Sequence, residues 1–203
     1  MTRVRYRSVF LNASLVVLFG AFAYANFARW QDTGRPVGLG AVLLEGFTAL
    51  LFVFRRSPDA TSGRALAWVA APVGSFAMLL ARPVGHPSEG LFGIFQVSQL
   101  VGFAIAFAAL GALGRSFGVV AANRGIKTSG LYAVVRHPAY LGYALSYLGY
   151  VCESPSLRNM ALLAVSSGAQ LVRIGEEERM LARDTAYERY RTRVRYRLIP
   201  RLY

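Results

Sequence analysis

Residues 90–114, GLFGIFQVSQLVGFAIAFAALGALG, run for 25 positions without a charged side chain. A bilayer core about 30 Å thick is crossed by roughly 20 mostly apolar helical residues, so this stretch alone is long enough to span. Working outward, Ser8–Ala28 offers 21 uncharged residues, Pro36–Phe54 offers 19 interrupted only by Glu45, and Ala65–Ala81 offers 17. On the C-terminal side, His137–Cys152 and Asn159–Val172 are shorter, at 16 and 14 residues, and Glu153-Ser154-Pro155-Ser156 separates them with turn-forming residues. The expected fold is therefore an all-α polytopic membrane bundle: four N-terminal spans, a C-terminal helical hairpin giving five to six membrane helices, and a C-terminal helical tail. It reads as a single membrane domain over 1–203, with transmembrane helices in 1–113 and a loop, hairpin and tail in 114–203.

Composition agrees: 55% of the 203 residues are hydrophobic, 16% are charged, and the mean hydropathy is +0.39. Arg3, Arg5 and Arg7 before an apolar run also fit a signal peptide, but the run's length and the lack of a small-x-small cleavage site favour a retained helix. The one cysteine, Cys152, excludes an intrachain disulfide and a CxxC site, and scattered His86, His137 and Cys152 show no zinc-ligand spacing.

A net charge of +13 raises nucleic acid as a partner, yet the distribution of Lys and Arg argues for membrane topology instead. Alternate inter-helix segments hold 19 of the 23 basic residues, and the opposite side holds Arg29, Arg35, Arg82 and Arg158. Short cytoplasmic loops collect positive charge, so both termini are expected in the cytoplasm. The basic tail Arg189–Arg201 suits anionic membrane lipids rather than nucleic acid.

Groups able to do chemistry concentrate after residue 123. Pro138 suits the first turn of a helix, which places His137 at the N-terminal edge of the hairpin's first helix and Tyr140 beside it. Unpaired N–H groups and the positive dipole end there favour a bound carboxylate. Arg173 and Glu177 lie i, i+4 on one helical face. A hairpin brings its open ends together, so the two clusters should be neighbours. Glu176 and Glu178 are read as a solvated, salt-bridged face with Arg179 and Arg183. Tyr143, Tyr147 and Tyr150 are read as packing or interface residues, and Gln96, Ser98 and Gln99 as interhelical hydrogen-bonding partners. Glu45, inside a span, is either functional or a structural partner of an arginine.

The pattern Gly130-x-Tyr132-x-x-x-Arg136-His137-Pro138-x-Tyr140-x-Gly142, followed by Arg173, Glu177-Glu178-x-x-Leu181, Tyr187-x-x-Tyr190-x-x-x-Val194 and Ile199-Pro200, resembles the isoprenylcysteine carboxyl methyltransferase family and related membrane methyltransferases. The tail departs from that family's pattern at Arg183–Ala186 and after Val194. The resemblance implies S-adenosylmethionine as cofactor, contacted by Arg124, Gly125, Ile126, Lys127, Tyr132, His137, Pro138, Ala139, Tyr140 and Glu177. It implies Arg173 as an acceptor-binding residue that, with Glu177, carries catalysis, and it implies no metal. The acceptor it favours is a prenyl-like or other lipid-soluble carboxylate. A phospholipid amine or a thiol fits the same cradle. An NADPH-dependent membrane reductase and a non-enzymatic basic scaffold are the readings from other classes.

Overall fold

The computed structural model describes residues 2–55, 60–84, 89–120, 122–123 and 125–202. Seven α-helices carry the fold: α1 Thr2–Thr33, α2 Pro36–Phe54, α3 Ala65–Phe76, α4 Glu89–Leu113, α5 Pro138–Glu153, α6 Leu157–Leu181 and α7 Thr185–Arg193. Two antiparallel two-residue strands, β1 Ala60–Thr61 and β2 Ala122–Asn123, pair Ala60 with Asn123 and Thr61 with Ala122. They are a small exception to the all-helical expectation, and they fasten the loop after α2 to the loop before the His137 motif. The expected His86 loop and Arg124 lie outside the described residues.

Among the described residues, three segments are long and apolar enough to cross a membrane: Phe10–Thr33, Pro36–Phe54 and Leu91–Ser116. The fourth expected N-terminal span is a shorter apolar helical run. The helical run Ala65–Leu80 rises only about 24 Å at 1.5 Å per residue. Pro72 lies inside α3, removing one helical N–H, and the chain tightens into a 3-10 turn at Ala77–Leu80. Conversely, α6 continues 25 residues from Leu157 through the glutamate run, well past the apolar stretch that suggested it.

Side-chain polarity is reversed relative to a water-soluble bundle. Phe10, Val17, Tyr24, Leu43, Val69 and Ile94 are among the exposed large apolar residues, whereas Thr48, Gln99, Ser146, Asn159, Ser166 and Gln170 are buried. Such an arrangement suits helices whose outer faces meet lipid and whose polar groups bond to one another. The chain is accordingly an integral membrane protein.

The helices associate in three pairs. α1 and α2 join through Gly34, whose positive φ of 63° lets its N–H bond the Trp30 carbonyl at 2.7 Å and reverse the chain. α4 and α5 pack at backbone distance. A Cβ on Gly142 would lie 2.5 Å from Ala106 N, and one on Gly102 would lie 2.4 Å from Ser146 Oγ. α6 packs on α3, where the Gly74 carbonyl accepts hydrogen bonds from Ser166 Oγ at 3.3 Å and Gln170 Nε2 at 3.0 Å. The expected hairpin therefore forms loosely: each leg packs mainly on an earlier helix, and the legs meet again at their free ends. At its turn, Ser156 Oγ caps α6 by accepting from Asn159 N at 3.1 Å. There too, buried Glu153 accepts from Gln96 at 3.0 Å, Gln99 at 2.6 Å and Arg35 at 3.2 Å. Gln96 and Gln99 thus act as interhelical partners, as does Ser98, which donates to the Leu145 carbonyl at 3.3 Å.

Candidate functional site

The open ends of α5 and α6 do meet. His137 is the residue before α5 and Pro138 is in its first turn, as the proline chemistry dictates. Opposite, α6 presents Arg173 and Glu177 one turn apart. Tyr140 donates to Glu177 Oε2 at 3.0 Å, and the Arg173 guanidinium lies 5.2 Å from the centre of the Tyr140 ring.

Around these groups lies a cavity lined by Gly125, Tyr132, His137, Ala139, Tyr140, Arg173 and Glu177 together with α4 and the segment Ser116–Val120. Three predicted contacts are not on its wall. Pro138 is fully buried, Lys127 is exposed, and Ile126 packs against Tyr187, Tyr190 and Val194. Sequence motifs had pointed to the segment 124–127, but Ser116–Val120 supplies more of the wall. Nothing in its residue types marks it.

Glu177 has no cationic partner among the described residues. Arg173 likewise pairs with no carboxylate there. Its guanidinium donates only to neutral acceptors: Ser75 Oγ at 3.1 Å, Gln170 Oε1 at 3.0 Å and the Val119 carbonyl at 3.0 Å, while Nε is buried without a partner. The i, i+4 relation therefore places both charges on one wall without making them an ion pair. Each is left to meet a charge that the described protein does not supply.

Glu178 corrects the reading of the glutamate run. Its carboxylate is buried, not solvated. Oε1 accepts from Arg136 Nε at 2.8 Å and lies 3.1 Å from His137 Nε2, while Oε2 accepts from Arg197 at 2.8 and 3.0 Å. Burial disfavours its ionised form, but the bonds from His137, Arg197 and Arg136 more than offset that and hold its pKa well below the usual carboxylate range. Glu176 is buried too, paired with Arg179 at 2.6 Å and Arg64 at 3.4 Å. A helical count could have found Glu178, because Ile174 and Leu181 flank it at i−4 and i+3 on an inward face.

The same clasp draws the tail across the motif. Arg136 N bonds the Tyr196 carbonyl and His137 N bonds the Arg197 carbonyl, both at 2.9 Å, and the Arg136 guanidinium bonds the carbonyls of Val194 and Arg195. Tyr190 donates to the Tyr132 carbonyl at 2.7 Å. Burial pushes the Tyr190 hydroxyl up to about 12 and the Tyr187 and Tyr132 hydroxyls higher still, so all three act as neutral groups.

A second cavity, of about 180 Å³, lies between the three helix pairs and shares Phe117, Val119, Tyr143 and Arg173 with the first. The first cavity is the more polar of the two and lies at the start of α5; the second is mainly apolar and is walled by residues of α1 to α6.

Residues 92–188 match the phospholipid methyltransferase family. No curated protein matches the chain. The phospholipid methyltransferase match begins in α4 and ends in α7, so it covers the elements that build the first cavity and, of the clasp on Glu178, Arg136 and His137 but not Arg197. That family is one of the isoprenylcysteine carboxyl methyltransferase-like membrane enzymes, and the resemblance seen in the motifs is borne out over this stretch. The match favours methyl transfer to lipid over reduction or a purely structural role. α1–α3, which provide part of the second cavity, lie outside it.

Proposed function

We propose that the protein transfers a methyl group from S-adenosylmethionine to the carboxylate of a lipid-soluble acceptor, at a site open to the cytoplasm. The observation that carries this reading is the junction of two cavities at Arg173, one holding a carboxylate, Glu177, that has no cationic partner among the described residues, and the other reaching in among the helices. Glu177, Tyr140 and the first turn of α5 would hold the cofactor, which supplies an electrophilic methyl on a sulfonium. Glu177 offers the negative charge that a sulfonium or ammonium group requires, and the free N–H groups of the first turn of α5 suit a carboxylate. Arg173 orients an anionic acceptor at the shared wall. Its fork is already steered by Ser75, Gln170 and Val119, so little ordering remains on binding. A carboxylate nucleophile needs no general base, and none is required of the residues here.

The cytoplasmic placement of both termini rests on the asymmetric distribution of basic residues. A second reading follows from the family match: a phospholipid amine as acceptor, with its phosphate on Arg173. Calorimetry with S-adenosylmethionine and its demethylated product on detergent-purified protein tests the cofactor site. Micromolar binding lost in Glu177→Ala and His137→Ala is expected, and absence of binding to folded protein sinks the methyltransferase reading. The transferred label then separates the acceptors: a methyl ester releases it as methanol in mild alkali, and an N-methyl group does not.

A further inference from the structure

The second cavity has a charged group at a place the methyl-transfer chemistry does not use. Glu45, midway along α2, lines that cavity and not the first one. Its Oε2 accepts a hydrogen bond from Asn26 of α1 at 2.9 Å, and no cation pairs with it among the described residues. A carboxyl group inside a membrane span is costly, and one hydrogen bond leaves acceptor capacity unused. The walls nearby combine apolar Phe19, Leu44 and Phe103 with Tyr147 and Thr48. Arg173 stands where the two cavities meet, so it marks the reacting end. Glu45 lies on the part that only the rest of an acceptor would reach.

We propose that Glu45 is a specificity-determining residue that accepts a hydrogen bond from a hydroxyl or N–H group carried along the acceptor's chain, away from its carboxylate. This rests on the reading of Arg173 as the acceptor's anion site. The preferred acceptor is then an amphiphilic acid bearing a separate hydrogen-bond donor, not a simple fatty acid. Mainly apolar walls accommodate the chain between the two polar points, and Glu45, half-buried on the cavity wall, discriminates because only a chain that carries a donor gains its hydrogen bond.

The test uses the full chain in phosphatidylcholine nanodiscs and tritiated probes: hexadecanoic acid and its 3-, 6- and 9-hydroxy derivatives, with binding read by scintillation proximity. At least one hydroxy acid should bind about tenfold more tightly than the parent, as expected for one added hydrogen bond to a carboxyl group. Glu45→Leu should abolish that preference. Capping the preferred hydroxyl as its methyl ether should abolish it in the wild type, which keeps the proposal testable if the variant does not fold. Equal binding of all four acids, an ether that binds as well as the alcohol, or a preference that survives in folded Glu45→Leu would each overturn it. S-adenosylmethionine binding is measured on the same nanodiscs. Its absence sinks the methyltransferase reading, whereas an intact cofactor site with indifferent acid binding overturns only the role of Glu45.

Discussion

Glu178 and Glu153 are both buried glutamates close to α5, one at each end of the loose hairpin, and they are held differently. Glu178 is gripped by Arg136, His137 and Arg197, so a strongly basic surrounding keeps it ionised and draws the tail over the start of α5. Glu153 takes two amide bonds from α4 and one bond from Arg35, whose side chain is 42% exposed. The first network joins segments distant in sequence around a cavity, while the second fastens a turn to the neighbouring helices. Two carboxylates of similar burial thus hold the wall of the proposed cofactor site in one case and the scaffold in the other, because of what their partners connect.

The largest effect should come from breaking the first network. Glu178→Ala leaves the buried Arg136 guanidinium without its carboxylate, a loss of about 3–5 kcal/mol, and it frees the tail from the His137 motif. A fall of roughly 10 °C or more in the melting midpoint in detergent is expected, together with loss of S-adenosylmethionine binding in calorimetry. A variant that melts early yet binds the cofactor normally would erase the functional side of the comparison.

Glu153→Ala should act next in size and in one respect only. It strands the buried amide of Gln99 and costs about 1–3 kcal/mol, seen as a lower midpoint, while cofactor affinity stays at the wild-type value. Reduced affinity in this variant would show that the two ends of α5 are coupled.

The smallest effect is in acid. Glu178 titrates below its ordinary value of 4.5 in the folded protein, so its contribution to stability is complete above that value and declines as pH falls beneath it. Melting midpoints measured from pH 7 to pH 3 should drop at the acid end in the wild type, and less steeply in Glu178→Gln. Equal slopes would mean that other carboxylates dominate the acid response.

Three long spans, the start of α5 at Pro138 and the joint placement of His137, Tyr140, Arg173 and Glu177 were legible from residue order. Each depends on local quantities: length of an apolar run, the chemistry of one proline, the turn of one helix. The irregularity of the fourth apolar run was not, because an uncharged run of 17 residues says nothing about where a 3-10 turn replaces the α-helix. Nor was Lys127 as a wall residue, since its neighbour Ile126 turns into the tail's aromatic cluster instead.

By itself, the sequence determined that the chain enters a membrane, where α5 begins, and which polar groups gather beside that start, because hydropathy and helix-start chemistry are one-dimensional properties. Only the tertiary structure decided that the hairpin is loose, with α5 seated mainly on α4 and α6 on α3. It also decided that Glu178 rather than solvent satisfies Arg136 and His137, and that Arg173 joins two cavities with Glu45 in the second. Those outcomes depend on which surfaces meet: glycines that admit a neighbouring backbone, and buried charges that must find partners distant along the chain.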